Sequence, residues 1–474
     1  MYPRTGAGLV VLVLLGAVTV QAAEPAKSTA EAQVGIEVTV YNSNLGLIKD
    51  VREVQLPEGE GSLQFMDVAS AIIPETVHVR SLNHPEDFQL LEQNYEYDLI
   101  SPEKLLEKYV GKTIKLLTWN QYQDRKEVVE ATLLSTNNGP VYRINGEIHL
   151  GNEGRPILPE LPENLFARPT LSWQYRNQSR TPHRIEASYL TNSITWKADY
   201  VLTLNAEDTA ADLSGWVTLD NKSGATYKDA KLKLVAGSIH RALAQEERDY
   251  YRVQRMELAA ASAPQFQEQG FFEYHLYDLQ RPTTVKDNQT KQISLLEASG
   301  VGVKKELLVY GVQSYYTHQY REEQPKQPVA VYVLVKNSKD NHLGMPLPEG
   351  IVRTYKQDAA GSLQFIGEDR IQHTPKDEEL RMKIGEAFDV VAQRRQTDFR
   401  QLSGRQWESE WEIVVRNHKE QDVTVGLIEP VPGPWTVIQN SHPYVKKDAF
   451  TIRFDVPVPK DGETKVTYRI RIGI

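Results

Sequence analysis

Apolar and polar residues alternate with a period of two along most of this chain, the spacing of strands that bury one face. The C-terminal stretch carries it most plainly. Phe450, Ile452, Phe454 and Val456 share one parity against Thr451, Arg453 and Asp455. Val466, Tyr468, Ile470, Ile472 and Ile474 repeat it against Lys465, Thr467, Arg469 and Arg471. Between the runs, Lys460-Asp461-Gly462-Glu463 holds an Asp-Gly pair suited to a tight turn, so the two are expected to pair as a β-hairpin with one buried face. Pro457 and Pro459 cannot donate to a ladder, which ends the first strand near Val456 or puts it on an edge. Similar alternation marks residues 36–41, 77–82, 196–204, 231–235, 329–335 and 411–415.

One segment reads as helix. Ser101 can cap, Pro102 suits the first helical position, Glu103 complements the helix dipole and Gly111 suits the stop, which predicts a single short helix. The fold class is therefore all-β: tandem immunoglobulin-like antiparallel sandwiches with a small inserted β-barrel and minor helix. The expected divisions are a signal peptide over 1–22, a sandwich segment over 34–98, and the barrel with its helix over 99–160. A central sandwich region follows over 165–400, with a mobile loop at 243–270, and a C-terminal sandwich over 401–474. Within the barrel, strand-like runs occupy 113–119, 128–135 and 141–150.

Two echoes recur. Gln174-Tyr175-Arg176-Asn177, Thr218-Leu219-Asp220-Asn221, Leu334-Val335-Lys336-Asn337 and Val414-Val415-Arg416-Asn417 each close a β-type run with a charged residue and then asparagine. Asparagine ends strands well because it tolerates left-handed backbone and bonds its own main chain. Convergence and duplicated sandwich units turning at equivalent corners both account for this. The second echo is Leu56-Pro57-Glu58-Gly59 with Gly61-Ser62-Leu63-Gln64-Phe65, repeated as Leu347-Pro348-Glu349-Gly350 with Gly361-Ser362-Leu363-Gln364-Phe365. It suggests related strand–turn–strand pieces.

Composition narrows the chemistry. The 474 residues are 40% hydrophobic and 25% charged, which is globular, and contain no cysteine, which removes disulfides, thiol nucleophiles and thiolate metal sites. A net charge of -9 argues against a nucleic-acid-binding surface. Arg4, the apolar run from Leu9 to Val20 and the small residues before Ala23 read as a secretory leader cleaved after Ala22. No cysteine follows it to take a lipid, and nothing after Ala23 approaches eighteen consecutive apolar residues, so no stable membrane insertion is expected. The expected location is the periplasm or the exterior.

Catalytic signatures are absent: no Gly-x-Ser-x-Gly elbow, phosphate loop, His-Glu-x-x-His or dinucleotide glycine pattern. The eleven histidines are dispersed, so no metal or cofactor is expected. The acidic pairs Glu368-Asp369 and Asp377-Glu378-Glu379, and the turn-like Lys286-Asp287-Asn288 and Lys339-Asp340-Asn341, read as solvated surface and turns. Aromatic runs give the binding candidates: Trp119 and Tyr122, and Tyr315, Tyr316, His318 and Tyr320, which combine flat apolar faces with hydrogen-bonding groups.

Several phrases resemble a bacterial exported family that carries the domain of unknown function 4139. They are Val40-Tyr41-Asn42-Ser43-Asn44-Leu45-Gly46-Leu47, Leu91-Glu92-Gln93-Asn94-Tyr95-Glu96-Tyr97-Asp98, Trp196-Lys197-Ala198-Asp199-Tyr200, Tyr274-His275-Leu276-Tyr277 and Gly385-Glu386-Ala387-Phe388-Asp389. The resemblance covers residues 35–474. The mucoidy-inhibitor-like proteins share its C-terminal domain but add a coiled coil, and this chain has no long heptad segment. The resemblance implies no catalytic residues. The leading reading is a non-enzymatic cell-envelope protein that binds an envelope protein or polysaccharide through sheet edges. The alternative is a carbohydrate-active protein, either a glycan-binding module or a glycoside hydrolase on a β scaffold.

Overall fold

A computed structural model describes residues 24–96, 101–120, 125–151, 154–162, 168–237, 265–358 and 360–473. The leader expected at 1–22, Tyr122 and residues 243–264 of the expected loop lie outside the described residues. The end of that loop is a strand, Phe266–Phe271, paired antiparallel with Tyr274–Leu279. The fold is all-β in several sheets, with one α-helix among the described residues, Pro102–Lys108, capped by the Ser101 hydroxyl accepting the Lys104 N–H. No helix among the described residues is long and apolar enough to cross a membrane. The chain divides into two compact units, residues 1–35 with 49–189, and residues 36–48 with 190–474.

In the first unit, Ala26–Ser28, Gly59–Met66, Thr170–Asn177 and Phe88–Glu96 lie side by side in that order. Trp173 packs on Phe65 with ring centres 5.0 Å apart. The fully buried Arg52 lies over the same Phe65 ring, and its charge is met by Asp50 and the Ser28 carbonyl.

The inserted module is a five-stranded sheet in the order Glu147–Leu150, Val141–Ile144, Arg125–Ser135, Thr113–Asn120, Arg155–Ile157. One face buries Ile114, Leu116, Ala131, Leu133, Tyr142 and Ile144 beneath Tyr109 and Leu106. The expected barrel does not close, because no ladder joins the two outermost strands. Asn145 and Gly146 both take positive φ, 50° and 88°, so the run over 141–150 folds back as a hairpin of two four-residue strands. The outermost strands are short, four residues in Glu147–Leu150 and three in Arg155–Ile157, where Pro156 has no N–H to give a further ladder.

In the second unit the sheet runs Leu363–Ile371, Gly350–Gln357, Ile194–Leu204, Ala210–Asn221, Gln289–Tyr310, Gln327–Lys336, Glu379–Ser403, Gln406–Asn417, Gly462–Gly473, Trp435–Asn440. The 25-residue strand Glu379–Ser403 passes straight through the expected divide at 400/401. It pairs first with Gln327–Lys336 and then with Gln406–Asn417, so the central and C-terminal sheets share one strand.

The expected C-terminal hairpin is an arch instead. Thr451–Val458 pairs with Val423–Pro430 and Tyr444–Asp448, while Gly462–Gly473 pairs with Gln406–Asn417 and Trp435–Asn440. The two runs face each other across one core, with Phe454 stacked on Tyr468 at 5.1 Å. Phe450 precedes the strand and is exposed. The Leu-Pro-Glu-Gly echo is also not equivalent: the first Gly-Ser-Leu-Gln-Phe continues the strand that begins at Gly59, whereas the second opens the strand after it.

The four strand-ending asparagines do share one structure. Asn177, Asn221, Asn337 and Asn417 are buried to 1% exposure or less. Asn177, Asn221 and Asn417 each accept the backbone N–H two residues on, while Asn337 accepts that of Gly344. Each amide then donates across to a distant loop: Asn177 to Leu56 and Pro57, Asn221 to Lys286, Asn337 to Thr374 and Pro375, Asn417 to Val458 and Pro459. In three of the four corners the distant acceptors include a proline carbonyl, at a point where the chain cannot supply an N–H of its own. The recurrence favours equivalent corners over chance.

Replacing Asn417 by Ala strands the Lys419 N–H, the buried Val458 carbonyl and the part-buried Pro459 carbonyl. An unfolding free energy lower by about 3 kcal/mol is expected in urea titration, with Asn440→Ala, whose amide serves an exposed turn, nearly neutral.

Candidate functional site

The aromatic run that looked most like a binding surface is mainly core. Residues Gln313–Tyr316 form a 3-10 turn that turns Tyr315 and Tyr316 inward. Tyr315 packs on Trp411 with ring centres 5.0 Å apart. Tyr320, half-buried, stacks edge-on against Tyr315, and His318 is exposed with its ring bonded to the neighbouring Thr317 hydroxyl. The physical reason is that consecutive side chains of a 3-10 turn lie about 120° apart rather than on opposite faces as in a strand, so both rings can be buried. Trp119 is 55% exposed at the end of its strand and belongs to the other unit.

Beneath Tyr316 lies a buried ion pair that motif reading missed. Arg394 and Glu429 have fully buried side chains and meet through two bonds, Nη2 to Oε1 at 2.6 Å and Nη1 to Oε2 at 3.0 Å. The Tyr316 hydroxyl donates to Glu429 Oε2 at 2.6 Å and lies 3.0 Å from the Tyr468 hydroxyl. Arg394 also sits over the Tyr315 ring, 4.7 Å from its centre. Burial, then the Glu429 charge, pushes the Tyr316 and Tyr468 hydroxyls far above the ordinary phenol range. Burial pulls Arg394 down, but Glu429 more than reverses it, so the guanidinium holds its proton more firmly than usual. Gly311 gives Glu429 its place, since a Cβ there would collide with the carboxylate. The signal was present in parity: Val390, Ala392 and Arg394 occupy alternate positions of one strand, so a charge falls in the core row. The pair fixes packing and is closed to solvent.

A second constellation imitates a catalytic triad. Ser81 Oγ lies 2.9 Å from His183 Nδ1, and His183 Nε2 lies 2.9 Å from Asn177 Oδ1. Ser81 and His183 are 3% and 0% exposed, which leaves no room for a substrate. Asn177 is one of the corner asparagines, and His183 stands six residues after it, as Tyr227 stands six after Asn221 and bonds Ser223 of that corner. The arrangement is a corner with an imidazole built into it. Burial, then repulsion from His84 5.4 Å away between ring centres, lowers the His183 pKa below its ordinary value.

The acidic and Asp-Asn steps are structural too. Asp369 accepts the Lys383 N–H, Glu368 meets Arg353, Asp287 accepts the Gly224 N–H, and Asn341 brackets Gly302. No group of three His, Asp or Glu side chains able to hold a metal ion occurs among the described residues. The apolar recess lined by Tyr200, Leu202, Leu213, Val352, Ile371 and Met382 is a packing gap whose one hydroxyl, on Tyr200, is spent on the Pro348 carbonyl.

One surface feature stands apart. The strands Leu363–Ile371 and Glu379–Ser403 run antiparallel beside each other. A Cβ on Gly367 would meet the Ile384 carbonyl, and Lys383 N–H bonds the Asp369 carboxylate at 2.7 Å, yet no backbone ladder joins them. This leaves a seam between two sheet edges. At its outer end Leu363, Phe365 and Ile366 are 48%, 55% and 37% exposed. On the opposite strand the register with Gln327–Lys336 jumps from Ala387 to Val391, and Phe388 in that bulge is 94% exposed. Sequence parity alone did not find Phe388, because the bulge breaks it.

Two measurements check the buried groups. Arg394→Met leaves Glu429 buried and unpaired, so a loss of about 4 kcal/mol is expected in urea unfolding, with most of it recovered in the double variant Arg394→Met/Glu429→Leu. His183 has a lowered folded-state pKa, so its contribution is complete above the unfolded value near 6.5 and is lost as pH falls below it. The urea midpoint is expected to drop between pH 7.5 and pH 5, and to drop less in His183→Gln.

A family model described as a domain of unknown function (DUF4139) matches residues 185–471. No curated protein matches the chain.

Proposed function

The chain belongs to the family of the domain of unknown function 4139 (DUF4139), and from that premise we propose that it is an exported, non-enzymatic cell-envelope protein that binds a partner polypeptide along a sheet edge. The observation that carries this reading is the seam between Leu363–Ile371 and Glu379–Ser403. The two edges meet at Gly367 and Ile384 without forming a ladder, and beyond that approach the outer end of Leu363–Ile371, paired only with Gly350–Gln357, is a template for an added strand. The exposed rings of Phe365 and Phe388 lie toward the outer end of the two strands, where the side chains of an incoming strand would settle.

The occupant that fits is an extended segment with apolar residues at alternate positions, since a β-strand places every second side chain on one face. Main-chain bonds would supply affinity and the two aromatic rings selectivity. Export is supported by Arg4 and the apolar run from Leu9 to Val20. The buried Ser81–His183–Asn177 and Arg394–Glu429 groups support the non-enzymatic side, because neither can be reached by a substrate.

The test is capture from envelope extract by the chain from residue 23 onward, with cross-linking to map the contact. A partner cross-linked near Phe365 and Phe388, and lost in the variant Phe365→Ser/Phe388→Ser, is the expected result. Equal capture by that variant, or turnover of a glycan or peptide that disappears on carboxylate substitution, would overturn the reading.

A further inference from the structure

The inserted sheet has two faces, and only one is used by the core. Antiparallel register fixes which residues share the other: Leu117 lies opposite Val128 and Arg155, Lys115 opposite Glu130 and Ile157, and Trp119 opposite Lys126. Farther along, Arg143 lies opposite Thr132 and Ile148, and Val141 opposite Leu150. Directly opposed residues point to the same side, so these positions form one continuous surface.

Its composition is unlike a solvent face. Trp119, Val128, Ile148, Leu150 and Ile157 are 55%, 52%, 63%, 73% and 41% exposed. Among them stand Lys115, Lys126, Arg143 and Arg155, all exposed, against a single carboxylate among the described residues of this face, Glu130. The chain as a whole carries a net charge of -9, so this face is locally cationic on an acidic protein. None of the four cations forms an ion pair with another described residue. An ordinary outward face would hold few large aliphatics and would mix both signs of charge.

The geometry points to a docking surface for an anionic lipid bilayer. Lys and Arg meet the headgroup phosphates, while Ile148, Leu150, Val128 and Ile157 enter the headgroup–acyl boundary, and Trp119 sits at that boundary beside Lys126 with its indole N–H toward water. A polysaccharide would use the cations and the indole but has no apolar phase for four exposed aliphatic side chains. An acidic protein would leave the charges matched, but nothing here sets a groove to receive one. This is attachment to a membrane surface and needs no spanning segment. It holds whether or not the seam in the other unit binds a polypeptide.

Co-sedimentation of the chain from residue 23 onward with large vesicles tests it. Vesicles containing phosphatidylglycerol are expected to bind it at least tenfold more tightly than pure phosphatidylcholine, with binding weakened by salt. Each cation near the surface is expected to matter about fivefold, so Lys126→Gln/Arg143→Gln should weaken partitioning about twenty-five-fold. Ile148→Asp/Leu150→Asp should reduce it at least tenfold while leaving the circular dichroism and melting temperature unchanged, because both side chains already face water. Quenching of tryptophan emission by brominated phosphatidylglycerol should fall in Trp119→Phe. The seam variant Phe365→Ser/Phe388→Ser should sediment as the parent does. Absence of binding to phosphatidylglycerol vesicles, equal binding to both lipids, or aspartate variants that bind like the parent would overturn the assignment. Retention on a soluble anionic polysaccharide without vesicle binding would overturn it too and give the face to a glycan.

Discussion

A chain without cysteine must end each strand by satisfying its own backbone, and in this protein a buried asparagine does so four times. The amide has the right inventory: an oxygen that accepts from the turn it sits in, and N–H groups that donate both to a carbonyl of that corner and outward to another loop. A serine could make the first bond but not the second set, and an aspartate could donate to nothing. The corner therefore joins a local turn to a distant segment through one side chain. Its proline partners add to the effect, because a proline at the loop withholds a competing donor. Sheets can then be stacked, because each strand end is fixed against the loop it must meet.

Parity along the chain made the sheet faces legible and left their neighbours undetermined. Phe454 and Tyr468 were rightly assigned to a buried face, but alternation is the same whether two strands lie side by side or face each other across a core. Asp461-Gly462 closes an arch as readily as a hairpin. In the inserted module the opposite error arose. Asn145-Gly146 is a strong hairpin signal that splits the strand-like run over 141–150, while a count of short strands beside a helix fits an open sheet as well as a closed barrel.

The candidate site was less legible, for reasons of geometry. Tyr315 and Tyr316 lie in a 3-10 turn, so two neighbouring rings enter the core together. Phe388 lies in a bulge, where the parity of its strand is interrupted and an aromatic is turned outward. Arg394 follows parity faithfully and is hidden for that reason. A charge on an apolar row is easily taken for a register slip, and only its bidentate carboxylate partner, thirty-five residues later in the chain, explains it. Trp119 was found from its chemistry alone, and its context came from register with Lys126.

The same two-residue rhythm produces two outward faces of opposite character, and the contrast is informative. On the C-terminal sandwich, Glu408, Glu410 and Glu412 line the middle strand and are bracketed by Arg469, Arg471, Arg395 and Lys465, each within 3.2 Å of a carboxylate oxygen. Charges there are neutralised within the sheet, in pairs whose carboxylates are partly covered by the neighbouring strands. What they provide is a surface that asks for no partner. The inserted sheet spaces its cations among aliphatic side chains and supplies one carboxylate for four of them. Both faces belong to one acidic chain, so net composition does not explain the difference. A face whose charge and apolar area are both left unmatched has its complement outside the protein.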